Sequence, residues 1–432
     1  MGLIMYFPVI DMSKNKKILI AALSILLVFL FSGGCVPRGS VITSLPQGIN
    51  LTPQFIWRGN YERTGYFDVL PLKKKPELAW QYWHTEEIPM VRFVDSSPVY
   101  HKGNVYFCDT SGFLYSLNAN TGKENWKKQI DGVAHKISFI ADGVLFFGSG
   151  NHIFGIEADT GEISYNFIFD RGIIGKRSGE LVLKDDILYF AAERWKKSFI
   201  GSPQLAGMYL YALNIKTGKY RWSKYINDAL SLDLSFYNDI LLATTQNSVL
   251  SVDIESGNIL WKVPHANNQM FVTPISNGYF YTSDGHSFSA YSAGNGKEVW
   301  SINIIPKGSM GEFSNPCINN GTVYFVAGIY DKPHFFYAIN AEIGKLIWKK
   351  DLGEISLYPP TGSYSTTDNM ALSRDVAYLS IYNKGAKLVA LDITNKKILW
   401  EYPTSEEFLR YPPTFANESI YVQDGFYVGK LK

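Results

Sequence analysis

Cysteine is nearly absent: Cys35, Cys108 and Cys317 are the three such residues in a chain of 432. So few exclude a disulfide framework. Histidine is scarce as well, seven residues scattered along the chain with no pair at ligand spacing. No Cys-x-x-Cys-His, His-Glu-x-x-His or Asp-x-Asp-x-Asp-Gly pattern occurs, which removes the signatures of a haem attachment, a zinc hydrolase site and a calcium loop. Charge is low, 19% Asp, Glu, Lys and Arg with a formal net of +2, so no attraction for nucleic acid or another polyanion follows. The apolar run 18–31, interrupted by Ser24, is too short for an ordinary membrane span.

Aromatic residues and a repeated phrase are what the chain has instead. The stretch 117–126 reads Leu-Asn-Ala-Asn-Thr-Gly-Lys-Glu-Asn-Trp, and it returns at 156–165, 213–222, 252–261, 291–300, 339–348 and 391–400. Its first residue is always apolar and its last always aromatic. Gly stands at the sixth position in every copy but the last, where Lys396 follows Asn395. The chemistry is that of a hairpin. An alternating strand ends in a polar residue, the chain turns through a Gly that accepts positive φ, and a second strand leaves with the aromatic.

From one terminal aromatic to the next the spacing is 39 residues at its shortest, as between Trp222 and Trp261, and longer copies carry insertions. Each unit reads as four short strands. In the first, 96–100, 104–109, 113–118 and 124–130 alternate with turns, and Phe113-Leu114-Tyr115-Ser116-Leu117-Asn118 has period 2. Four antiparallel strands in about 40 residues make a propeller blade. The segment around Trp80 is a fourth strand with no blade before it, and 412–416, 420–424 and 426–430 are three strands with none after them. Together they complete a blade and leave no blade of the ring unfinished. The expectation is an all-β, eight-bladed β-propeller of four-stranded antiparallel blades, the last closed by the N-terminal strand. Trp80, Trp126, Tyr165, Trp222, Trp261, Trp300, Trp348 and Trp400 are its structural repeat positions, because a residue that recurs in every blade packs blades together; a binding residue would appear once or twice.

Thr-Gly-Lys-x-x-Trp after an apolar-Asn/Asp-Ala strand resembles the repeat of the pyrroloquinoline-quinone (PQQ)-like propellers. That family includes quinoprotein alcohol dehydrogenases and the non-catalytic lipoprotein subunit of the outer-membrane β-barrel assembly machinery. The resemblance runs from about Trp57 to Lys432, and the opening Trp57-Arg58-Gly59-Asn60-x-x-Arg63-Thr64-Gly65 is similar to the entry segment of such propellers. It implies fold more than activity. The dehydrogenase branch implies an adjacent Cys pair, acidic and Asn calcium ligands and a catalytic Asp. This chain has no vicinal cysteines, and nothing in it reads as a catalytic constellation, a metal site or a cofactor site.

Ahead of the repeats, Lys14, Lys16 and Lys17 precede the apolar run, and Ser32-Gly33-Gly34-Cys35 follows it. This is the make-up of a secretory signal, assigned to 1–34, with Met12 a more natural start than Met1. Cys after Gly-Gly resembles a bacterial lipobox, with Ser32 where the pattern usually has Leu, and it implies lipidation of Cys35. Residues 35–55 then read as the lipidated Cys and a flexible tether rich in Pro, Gly, Ser and Thr, and 56–432 as the propeller. The location expected is the bacterial cell envelope, lipid-anchored, on the outer membrane facing the periplasm in a diderm host.

Within a blade, the turns after strands one and three share one face, where the spacers are short. The turn after strand two and the crossover to the next blade share the other, and the insertions at 193–207, 330–334 and 353–367 all fall there. Insertions on one face mark a binding face. Their exposed-type aromatic and basic residues, Arg194, Trp195, Lys196, Phe199, Tyr330, Tyr358 and Tyr364, with Arg410 and Tyr411 in the last crossover, are the candidate partner-binding set. The leading reading is a non-catalytic, lipid-anchored protein-interaction scaffold, with an envelope protein as partner. The alternatives are a divergent PQQ-dependent dehydrogenase and a propeller that binds a small ligand or glycan.

Overall fold

A computed structural model describes residues 39–432 apart from 84–93, 95, 133–135, 170–172, 175–180, 197–203, 228–232, 265–273, 310, 358–368, 405–412, 417 and 425–426. Eight antiparallel sheets follow one another around a ring. Blade one is built from Val99–His101, Asn104–Cys108, Phe113–Asn118 and Glu124–Gln129, and the next six repeat the plan. Blade eight takes Thr414–Ala416, Ser419–Asp424 and Tyr427–Leu431 from the C-terminus and Leu78–Trp83 from the N-terminal side. The expected eight-blade closure is the one observed.

The core is not one mass. Each buried apolar cluster straddles two consecutive blades, so the ring is held by eight similar interfaces. The repeated phrase accounts for them. In every blade the residue just before the repeat aromatic is extra in the ladder, so that, for example, Ser251 faces Trp261 while Val252 faces Ile259. A bulge at that point adds local twist, and the aromatic that follows it lies against the next blade. Trp80, Trp126, Trp222, Trp300 and Trp400 each donate their indole N–H to a backbone carbonyl beyond their own sheet, as Trp222 does to Ile254 at 2.8 Å.

The turn glycine lies on that ring. Gly257 has φ +71°, and a Cβ there would come within 2.6 Å of the Trp222 indole. Lys396, the exception, takes the same left-handed conformation at φ +58° and carries its ammonium 5.9 Å from the Trp348 ring centre.

The tryptophans are not equal. Trp222 is 9% exposed and fully hydrogen-bonded, whereas Trp261 is half-buried and its shielded indole Nε1 meets no acceptor among the described residues. Trp222→Ala is therefore expected to cost about 3–5 kcal/mol, and Trp261→Ala roughly half of that. Urea unfolding of the two single variants measures this, and equal losses would contradict the unequal packing.

The stretch expected as a tether departs from its reading. Gly39–Thr43 is an edge strand, antiparallel to the outermost strand of blade two with Gly39 opposite Phe169. Leu45, Ile49 and Leu51 pack on the cluster between blades two and three, and Pro53–Ile56 pairs with the innermost strand of blade two. Val41 and Ile42 gave a local β preference, but the pairing partner lies more than 100 residues away, and loop-type composition concealed it.

Candidate partner-binding face

The two faces of the ring differ first at the central channel. After Ile56 the chain crosses the short-turn face as a strap. Its carbonyls accept from the innermost strands in turn: Tyr61 from Phe236 N at 2.9 Å, Glu62 from Ile275 N at 2.9 Å, Thr64 from Ile318 N at 2.8 Å and Gly65 from Leu372 N at 2.8 Å. Tyr66–Phe67 then runs parallel to Met370–Ser373 of blade seven. Blades two, four, five, six and seven are thus tied to one segment across the channel mouth.

Two buried arginines lock the strap. Arg58, 2% exposed, donates Nε to the Arg63 carbonyl at 3.1 Å and Nη2 to the Pro316 carbonyl at 2.6 Å. Arg63, 1% exposed, donates Nε to the Leu234 carbonyl of blade four at 3.2 Å. Asp233, at the start of blade four's innermost strand, is partly buried within the electrostatic reach of both arginines. Burial raises its pKa, while Lys136, Arg63 and Arg58 pull it back down. The opening sequence motif contained both arginines. Their burial was not legible, because it depends on five blades meeting the strap.

The crossover face carries the length variation. The second and third strands of blade three, Ile187–Lys196 and Gln204–Asn214, run as a long hairpin beyond the rest of the blade. Near its end Arg194 is exposed, its guanidinium 5.0 Å from the Tyr225 ring centre and 5.8 Å from that of Tyr209, with Nη1 donating to the Tyr209 hydroxyl at 3.4 Å. Trp195 is 41% exposed and donates its indole N–H to the buried Glu193 carboxylate at 3.0 Å. Both side chains are therefore held in place while their outer surfaces stay open. Lys196 pairs with Gln204 in the same hairpin.

Tyr330 is 56% exposed in the turn between strands two and three of blade six. Blades four and five lie between it and Trp195, so these candidates share a face and do not form one cluster. Phe199, Tyr358, Tyr364, Arg410 and Tyr411 lie outside the described residues, as does Cys35.

A polar group that the motifs did not announce steadies the blade-six side. The buried Glu312 carboxylate accepts from Ser356 Oγ at 3.1 Å and from Leu357 N at 2.9 Å, and it lies 3.1 Å from Nε2 of His334, which has no exposed surface. His334 Nδ1 meets the Lys332 carbonyl at 3.0 Å. One carboxylate thereby links the turn carrying Tyr330 to the crossover into blade seven. Glu312, His334 and Ser356 are far apart in sequence and share no motif, so no local signal pointed to them.

Among the described residues, no three of His, Cys, Asp and Glu come together to hold a metal. Cys108 and Cys317 are buried and unpaired with each other, in blades one and six, and burial pushes the Cys108 thiol up. On the short-turn face, a polar cleft of about 380 Å³ between blades five and six is lined by Asn277, Tyr279, Asn320, Asn340 and Glu342 among others.

Comparison with known proteins agrees with this architecture. In sequence the chain is 21% identical over 316 residues to the outer membrane protein assembly factor BamB of Moranella endobia (strain PCIT), covering 65% of this chain and 74% of that protein. In structure it is similar to BamB from Moraxella catarrhalis, with a TM-score of 0.56 at 11% identity over 83% of this chain and 99% of that one. Its likeness to the quinohemoprotein alcohol dehydrogenase from Comamonas testosteroni is comparable, TM-score 0.61 at 13% identity over 87% of this chain and 80% of that one, and concerns the fold alone. The family model described as outer membrane protein assembly factor BamB matches residues 56–244, 245–408 and 336–429, nearly the whole propeller, and on that match the chain belongs to the BamB family.

Proposed function

We propose that this protein is a non-catalytic, lipid-anchored scaffold of the bacterial envelope, which holds a protein partner on its crossover face during outer-membrane protein assembly. The observation that carries the reading is the asymmetry of the ring in a member of this family. The strap closes the channel on the short-turn face, while the crossover face offers Arg194 and Trp195, held by Tyr209, Tyr225 and Glu193 with their outer surfaces open. Trp and Arg are the side chains that dominate interface energies when preorganised. Acylation of Cys35 supplies the membrane attachment in this reading.

Arg194→Ala with Trp195→Ala is expected to abolish co-purification of the partner from envelope membranes, with an unchanged circular dichroism spectrum. The control belongs on the short-turn face at Lys102 and Asn277, whose φ values of +44° and +51° call for Gly as the replacement, to keep the turns. Retention in the double variant with loss in the control would move the interface to the strapped face. The dehydrogenase alternative is tested separately: purified protein given PQQ and calcium should develop no bound-quinone absorption.

A further inference from the structure

Two blade junctions on the short-turn face are built alike and differ in one charge. Between blades three and four, Trp222 donates its indole N–H to the Ile254 carbonyl at 2.8 Å, and Tyr189 lies 6.0 Å away, ring centre to ring centre. Between blades five and six, Trp300 donates to the Ala341 carbonyl at 3.0 Å, with Tyr281 again at 6.0 Å. In both turns the residue after the acceptor is a glutamate, Glu255 in one and Glu342 in the other. Glu255 is paired: Arg221, the bulge residue before Trp222, brings Nη1 to 2.5 Å from its carboxylate. The same bulge position before Trp300 holds Val299, and the exposed Glu342 carboxylate meets no cation and no hydrogen-bond donor among the described residues. The two phenols register the difference. Burial raises both pKa values; Arg221 then pulls that of Tyr189 down, whereas Tyr279 and Glu342 push that of Tyr281 further up.

The cleft of about 380 Å³ lies at the junction that lacks the arginine. Tyr279, half-buried, lines it at a strand position where other blades put aliphatic residues, such as Val144, Ile240 and Val376. A residue type that recurs in every blade serves the fold, and Tyr279 occurs at this position once. Asn277 and Asn320 line the cleft from matching left-handed turns, at φ +51° and +46°, with side-chain amides that bond to none of the described residues. Asn340 commits Oδ1 to the Glu342 and Ile343 amides, at 3.0 Å each, and keeps its NH2 group.

We propose that this cleft binds a guanidinium group carried by a ligand, in the role that Arg221 fills between blades three and four. Glu342 accepts the planar fork, and the Tyr279 ring and the Asn277 and Asn320 amide oxygens provide the rest of the contact. An exposed carboxylate alone holds a cation weakly, so the cleft is what makes this one a site. Its volume is at the small end of the roughly 300–1,000 Å³ of ligand pockets, which suits a small molecule or a single side chain. The reading is independent of the partner on the crossover face.

The test titrates the purified full-length protein with n-butylguanidinium and with n-butylurea, its neutral isostere, by ligand-observed NMR. Saturable binding of the cation is expected, about tenfold or more tighter than that of the urea. Val299→Arg supplies a guanidinium from the chain itself, and Glu342→Gln removes the charge; each should weaken binding about tenfold or more with an unchanged circular dichroism spectrum. Glu255→Gln should bind as the parent does. No saturable binding, equal binding of the two probes, or binding that survives both Val299→Arg and Glu342→Gln overturns the proposal. Loss of binding in Glu255→Gln overturns it too, by moving the cation to the other junction. Given a positive result, a blocked Gly-Arg-Gly peptide separates the sources: binding like that of n-butylguanidinium supports an arginine side chain as the natural occupant, and exclusion of the peptide supports a free small cation.

Discussion

Gly257→Val is expected to destabilise the propeller by about 2–5 kcal/mol, combining a branched side chain in the left-handed region with displacement of a packed ring. The first contribution arises from φ +71° at Gly257, the second from the 2.6 Å approach of a Cβ to the Trp222 indole. The ring has little room to withdraw, because its N–H is held by Ile254. Lys396 provides the internal comparison. It tolerates the same backbone conformation without glycine, with its side chain extending over Trp348, so the left-handed turn alone is survivable. Gly257→Lys should accordingly cost less than Gly257→Val. Urea unfolding followed by tryptophan fluorescence measures both, and a valine variant as stable as the parent would refute the contact between turn and ring.

Features written locally were legible in the sequence; those that depend on remote pairing were not. The Gly turn and the aromatic six to ten residues into each phrase announce a hairpin wherever they occur, so blade number and closure by Leu78–Trp83 could be counted. The bulge before each aromatic left no trace. Ala79, Asn125, Ser164, Arg221, Leu260, Val299, Ile347 and Leu399 occupy that position and share no chemistry, since the bulge is a property of the ladder. The edge strand Gly39–Thr43 and the strap were hidden for a related reason. Their hydrogen bonds go to blades two, four, five, six and seven; before those partners are known, the stretch 35–55, rich in Pro, Gly, Ser and Thr, reads as tether, and 57–65 as no more than a propeller's entry segment. In the sequence, insertion length singled out the crossover face, and the Trp–basic cluster falls on the long hairpin of blade three. The support of Trp195 by Glu193, and the link of Glu312 to His334 and Ser356, required the folded arrangement.

Arg63→Ala should be the most damaging single change outside the repeat, at about 3–5 kcal/mol, the loss expected when one partner of a buried charged network is removed. Arg63 is 1% exposed; it donates to the Leu234 carbonyl and is one of the cations facing Asp233. Without it, the carbonyl loses a donor and the aspartate loses a charge that favours its ionised form. Asp233 already has a raised pKa through burial, and the variant raises it further. An acid whose folded pKa is raised favours folding in its protonated form, and this advantage fades as pH climbs through the folded value. The penalty in Arg63→Ala should therefore be largest at neutral pH and should shrink as pH falls through the range where Asp233 takes up its proton. Hydrogen exchange locates the damage. The amides of Phe236, Ile275, Ile318 and Leu372, which donate to the strap, should lose protection before the strands of blade one, whose described residues share no backbone hydrogen bond with it. Arg63→Lys keeps the charge and gives up the planar fork, so it should recover the pH dependence in part and the Leu234 contact poorly. Protection of those four amides equal to the parent's, together with an unchanged unfolding midpoint, would mean that the strap is held without Arg63.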